Sequence, residues 1–141
     1  MIDAAVVDAS VAVKWVVQET GSDLARSLSN ASLEAPDLLL VECANILWKK
    51  VRIGDLTRRD AKRCLDILLR APVNVITGSE LLPQAMDLSC ELEHPVYDCL
   101  YLAVALRREI PLITADERLA RTARKHRKFA SRVVLLHELE A

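Results

Sequence analysis

Four acidic residues, Asp8, Glu42, Asp98 and Asp116, lie inside apolar stretches or at their ends. Glu42 sits in Leu38-Leu39-Leu40-Val41-Glu42-Cys43-Ala44-Asn45-Ile46-Leu47-Trp48. On a helix its neighbours at three and four residues are Leu38, Leu39, Asn45 and Ile46, so its carboxylate projects among aliphatic side chains. Asp98 follows His94-Pro95-Val96-Tyr97 and precedes the apolar run 99–106, with Tyr101 and Leu102 on its helical face. Asp8 closes the apolar run 4–7, and Asp116 comes just after the run 111–114. A buried lone charge is strongly unfavourable, so such groups are paired, protonated or bound to a cation. Carboxylates crowded together repel, and a hard divalent ion relieves that repulsion. All-oxygen ligation suits Mg²⁺ or Mn²⁺. The three histidines, His94, His126 and His137, share no metal-ligand spacing, which speaks against zinc. Metal-activated water attacking a phosphate ester is the reaction this acid set favours.

Each acid also has a plainer reading. Asp8 and Asp116 suit helix N-caps. Glu42 suits a buried ion pair with Arg or Lys, and Asp98 suits the negative charge favoured in a first helical turn. The elements that must place the acids strengthen the joint reading over these separate ones. Residues 4–7 read as a buried strand and 10–17 as helical. Gly21 breaks that pattern, and Ser22 is expected to cap a short helix reaching 31. Pro36-Asp37 opens a long helix through 51, with Gly54 past its end. Thr57 with Asp60 predicts a capped helix to 70, and 73–77 reads as a strand. Ser79 begins a helix to 93 with Pro83 in its first turn. After His94-Pro95, helices are expected over 97–108 and 116–125, with strands at 111–114 and 133–136. Strands separated by helices imply a central parallel sheet of four to five strands flanked by helices, an α/β fold. Such sheets bind ligands at the carboxyl ends of their strands, where Asp8 and Asp116 fall.

The 141 residues fit one domain, 1–141. Aromatics make up only 4%, so the core must be built from Val, Leu, Ile and Ala. The net charge of -1 excludes nucleic-acid binding through an overall positive field, so any such binding needs a local patch. Two candidates exist: Arg118, Arg121, Arg124, Lys125, Arg127, Lys128 and Arg132 after Asp116, and Lys49, Lys50 and Arg52 after Glu42. Both runs are equally compatible with a solvated surface. Cys43, Cys64, Cys90 and Cys99 form no C-x-x-C pair, and three of them sit in apolar helical patterns as small hydrophobes. No apolar run approaches the ~18 residues that cross a bilayer. Met1-Ile2-Asp3 carries no basic leader, so a cytoplasmic location without membrane contact is expected.

The stretches 6–15 (Val-Val-Asp-Ala-Ser-Val-Ala-Val-Lys-Trp), Glu42 with Asn45, 97–103 (Tyr-Asp-Cys-Leu-Tyr-Leu-Ala) and 112–119 (Leu-Ile-Thr-Ala-Asp-Glu-Arg-Leu) together resemble the PIN-domain family. Within it they look most like VapC-type toxins of prokaryotic toxin–antitoxin pairs. Each motif alone is weak; the ordered set, spanning about 6–136, is specific. The resemblance implies a Mg²⁺- or Mn²⁺-dependent endoribonuclease acting on structured RNA such as tRNA or rRNA. It also implies a VapB-type antitoxin partner and a homodimer. Matched position by position, Asp8, Glu42, Asp98 and Asp116 are the metal-binding and catalytic acids. Ser10 and Thr114 match the hydroxyls beside them, and Asn45, one turn beyond Glu42, is placed either to orient that carboxylate or merely to occupy the helix face. Ser10 and Thr114 could equally bond their local backbone. The apolar faces of 11–17 and 38–48 suit either a partner's amphipathic helix or the core.

Two other parallel α/β families fit less well. A receiver domain needs an acceptor Asp closing a middle strand, and 73–77 ends without one. A haloacid-dehalogenase-type phosphatase begins Asp-x-Asp, where this chain has Asp8-Ala9-Ser10. A catalytically silent subunit that only binds an antitoxin remains a non-enzymatic alternative.

Overall fold

The computed structural model describes residues 2–139. Strand β1 (Ala4–Val7) leads into one turn of helix α1 (Ala9–Ala12), which tightens to a 3-10 turn over Val13–Trp15. A short α2 (Ser22–Arg26) is followed by β2 (Ser32–Pro36), the long α3 (Leu38–Arg52), α4 (Arg58–Leu69) and β3 (Val73–Ile76). Then come α5 (Gly78–Leu92), α6 (Val96–Arg108), β4 (Leu112–Thr114), α7 (Glu117–Arg124) and β5 (Val133–Leu135). The five strands form one sheet in the order β3-β2-β1-β4-β5, and every pairing is parallel. Among the described residues no helix is long and apolar enough to cross a membrane.

The chain winds outward from β1 to β3, then crosses back to β4 on the other side of β1. That reversal makes the carboxyl ends of β1 and β4 a switch point, the place where open parallel sheets leave a crevice. Val7 pairs with Ile113, so Asp8 and Thr114 leave the sheet side by side.

Alternation along β1 serves two cores. Val6 joins the larger one, with Leu39, Leu81, Leu102 and Phe129. Ala5 and Val7 face the smaller one, with Val11, Leu28, Ile113 and Leu136. Helix α6 runs through the larger core, and its residues Cys99, Leu100, Tyr101, Leu102, Ala103, Val104 and Ala105 are all buried. The free thiols of Cys43 and Cys99 lie in that packing, as small hydrophobes do. Helices α5 and α6 end on Glu93 and Glu109, both left-handed at φ 51° and 56°.

Several expectations are corrected. The segment Ser32–Pro36, assigned no strand from sequence, is β2, and Pro36 closes that strand instead of opening a helix. Its alternation is hidden by Glu34, whose carboxylate is held 2.9 Å from Arg108 Nε. Thr57 does cap α4, accepting from the Asp60 amide at 3.1 Å. Ser22 instead lies inside its helix; its hydroxyl accepts from the Glu19 amide and donates to the Val17 carbonyl. Gly21, at φ 89°, takes the cap position. Pro83 falls in the second turn of α5, since that helix starts at Gly78.

Candidate active site

A cleft of about 470 Å³ opens at the carboxyl ends of the strands and is lined by Asp8, Glu42, Asp98 and Asp116. Ser10, Asn45 and Lys49 share its walls with the apolar Leu38, Val41, Ile46 and Tyr97. Four separate parts of the chain thus deliver one acid each: the turn after β1, the middle of α3, the first turn of α6 and the start of α7.

Asp8 is buried, at 7% exposure. It occupies the N-cap position of α1, yet its side chain makes no cap bond. Instead Ser10 Oγ donates to Oδ1 and Thr114 Oγ1 donates to Oδ2, each at 2.5 Å. With both hydroxyl protons spent on Asp8, the 3.4 Å approach of the two hydroxyl oxygens is contact only. Those oxygens accept in turn from backbone: Ala115 N reaches Ser10 Oγ at 2.9 Å, and Asp116 N reaches Thr114 Oγ1 at 3.0 Å. Burial pushes the Asp8 carboxyl up to about 6; the two hydroxyl bonds oppose that rise and the Asp98 charge adds to it.

Glu42 is half-buried and accepts a 2.5 Å hydrogen bond at Oε1 from the Tyr101 hydroxyl. Its partner is therefore a buried phenol and not an Arg or Lys. Burial holds its carboxyl above the usual range, against the pull of the Tyr101 bond and with a contribution from Asp98. Asp98 Oδ2 lies 2.6 Å from His94 Nε2. The His94 ring is 9% exposed, and the His94 carbonyl accepts from Ser89 Oγ, which fixes the residue's place. Asp116 is exposed and caps α7, with Oδ1 accepting from the amides of Arg118 at 2.9 Å and Leu119 at 3.1 Å. Asn45 lines the cleft and makes no hydrogen bond to Glu42.

Each acid is thus drawn against donors in the cleft wall. Among the described residues, no three His, Cys, Asp or Glu side chains converge closely enough to hold an ion as they stand. The chemistry of the set still suits a hard cation: the donors are oxygens, and Asp8 is desolvated, bonded only by neutral hydroxyls, with the like charge of Asp98 acting on it.

His94 and Tyr101 contact these acids but were not read from the sequence as site residues. For Tyr101 a signal existed, because a tyrosine inside a wholly apolar helical run needs a partner for its hydroxyl. His94 stands four residues before Asp98, a helical spacing that Pro95 obscures.

The basic runs divide. Arg124 is spent on the fold, donating to the Val133 carbonyl at 2.9 and 3.0 Å and pairing with Glu138. Arg132 donates to the Ala105 carbonyl at 3.4 Å. Lys50 pairs with Glu19 at 3.0 Å and Arg52 lies over the Trp48 ring. Lys49 is exposed and lines the cleft.

The sequence pattern of the PIN domain matches residues 5–125. This chain belongs to the PIN-domain family. Among curated relatives, Ribonuclease VapC3 of Pyrobaculum aerophilum is 35% identical over 82% of this chain and 91% of its own length. Ribonuclease VapC1 of Mycobacterium tuberculosis is 32% identical over 84% and 90%. Its fold is shared with the crystal structure of PAE2754 from Pyrobaculum aerophilum, at TM-score 0.68 and 23% identity, covering 98% of this chain and 86% of that one. Mycobacterium tuberculosis VapC20, described as a sarcin–ricin loop cleaving toxin, superposes at TM-score 0.61 and 19% identity over 83% and 93%. A toxin–antitoxin complex from Klebsiella pneumoniae does so at 0.59 and 16% over 96% and 99%. This PIN domain is thus VapC-like along most of its length.

Proposed function

We propose that this PIN domain is a Mg²⁺- or Mn²⁺-dependent endoribonuclease, the toxin of a VapBC-type toxin–antitoxin pair. One observation carries the reading: four carboxylates from four separate segments line a single cleft at the sheet's switch point, and one of them is buried without a cationic partner. Asp8, Asp98 and Asp116 would hold the principal ion, with Glu42 joining them directly or through water. Once bound, such an ion makes water a nucleophile at neutral pH and offsets charge on the phosphodiester.

The chain's own residues supply the rest. Ser10 and Thr114 orient both oxygens of Asp8. Lys49 offers the RNA a positive charge beside the acids, and Leu38, Val41, Ile46 and Tyr97 give the cleft an apolar side. Attack by water should leave a 5′-phosphate and a 3′-hydroxyl. The substrate class is structured RNA, tRNA or rRNA, in keeping with the sarcin–ricin loop cleaved by the VapC20 neighbour. We assign a VapB-type antitoxin partner, in keeping with the toxin–antitoxin neighbour, and a homodimeric toxin working in the cytoplasm. Val11 and Val13 belong to the core, so a partner's apolar face would meet Val41 and Trp48, which are 66% and 53% exposed.

The test incubates purified protein with total RNA and Mg²⁺ or Mn²⁺, beside Asp8→Asn and Asp98→Asn. Cleavage in wild type only, abolished by chelator and leaving 5′-phosphates, is the expected result. Cleavage that persists in both variants, or 2′,3′-cyclic phosphate products, would sink the mechanism. Antitoxin binding without any cleavage would make the chain a silent subunit.

A further inference from the structure

Tyr101 is a polar side chain set in the most deeply buried helix of the molecule. It is 0% exposed and lies within seven consecutive buried residues of α6. Phenylalanine would fill the same space without bringing a hydroxyl that has to be satisfied away from water. That hydroxyl has one bond, 2.5 Å to Glu42 Oε1, which joins positions 59 residues apart. Asp98 is one turn earlier on the same helix, so α6 carries one acid of the cleft and grips a second.

We propose that Tyr101 is the positioning residue for Glu42: its hydroxyl fixes Oε1 from the core side and leaves Oε2 as the oxygen available to the cleft. The proposal rests on the nuclease reading above and extends it to a residue outside the acid set. Glu42 is free to rotate about its own side-chain bonds, and no other side chain among the described residues donates to it. Removing the phenol oxygen therefore releases the carboxylate without changing the packing of the ring. Outer partners of metal-binding side chains act in this way, through orientation.

The experiment compares wild type, Tyr101→Phe, Glu42→Ala and the double variant in the full chain. Mn²⁺ affinity is read by isothermal titration calorimetry, and RNA cleavage is followed against Mn²⁺ concentration with thermal melts alongside. Tyr101→Phe should weaken Mn²⁺ binding about tenfold, raise the Mn²⁺ needed for half-maximal cleavage in step, and leave KM for RNA unchanged. In the Glu42→Ala background the same substitution should add nothing, because the group it acts through is gone. Undiminished Mn²⁺ affinity in Tyr101→Phe overturns the proposal. So do losses that simply add in the double variant, or a lowered melting temperature with unchanged affinity, which mark a role in packing alone. Wild-type protein that neither binds Mn²⁺ nor cuts RNA fails differently: it removes the nuclease reading itself.

Discussion

Two turns at the carboxyl edge of the sheet carry the same local pattern, an aspartate between a strand and a helix. Asp8 stands between β1 and α1, and Asp116 between β4 and α7. Their side chains do opposite things. Asp116 is exposed and caps α7 through two backbone amides, a use the helix alone explains. Asp8 makes no cap bond, is buried, and is held by hydroxyls from its own turn and from the neighbouring strand. Helix formation accounts for one aspartate and leaves the other's burial without a structural reason. Of the two, Asp8 is the carboxylate whose placement only the proposed metal would explain.

The strongest challenge to this contrast is Asp8→Asn, which should lower RNA cleavage by about 100-fold or more. Wild-type rates in that variant would mean the burial of Asp8 has nothing to do with catalysis.

A second test uses the proton. Burial raises the Asp8 carboxyl to about 6 in the folded chain from 3.8 for the unperturbed group, so the folded state holds this proton more tightly. The resulting stability is fully present below pH 3.8 and is lost as pH rises through about 6, on the order of 3 kcal/mol in the absence of metal. Denaturant unfolding in chelator from pH 4 to 7 should show wild type losing stability relative to Asp8→Asn. Parallel curves would mean that the carboxylate is not desolvated.

At Asp116 the effects should separate by substitution. Asp116→Ala removes the cap and should lower stability by about 1 kcal/mol, whereas Asp116→Asn keeps an accepting oxygen and should melt like wild type. Identical melts for both would deny the cap.

The smallest effect is expected on the face of α7. Alanine at Arg118, Arg121 and Lys125 should weaken RNA binding modestly and flatten its dependence on log salt by up to about 2–3 in slope. An unchanged slope would confine RNA recognition to the cleft.

Most of the fold was legible because its periodicities are clean. Residues 4–7 are an uninterrupted apolar run, 111–113 are apolar up to Thr114, and Thr57-Asp60 marks a helix start that the structure reproduces. Strand β2 was not legible, since the half-buried Glu34 is held by an ion pair with Arg108, 74 residues away, and Pro36 suggests a helix start. The four acids could be named from their apolar company and from the ordered family motifs. What sequence could not supply was their partners. That Thr114 meets Asp8 depends on β4 crossing back beside β1, and that Tyr101 meets Glu42 depends on α6 bringing its phenol within reach of α3. Local pattern sees the demand for a partner but not its address.

The left-handed glutamate at the end of α6 has a practical consequence. A non-glycine residue pays about 1–2 kcal/mol to adopt that backbone, and Glu109 is exposed and remote from the cleft, with φ 56°. Glu109→Gly should act as a general suppressor, raising the melting temperature by a few degrees. Site variants too weak to purify on their own would become measurable in that background, so a loss of activity could be separated from a loss of folded protein.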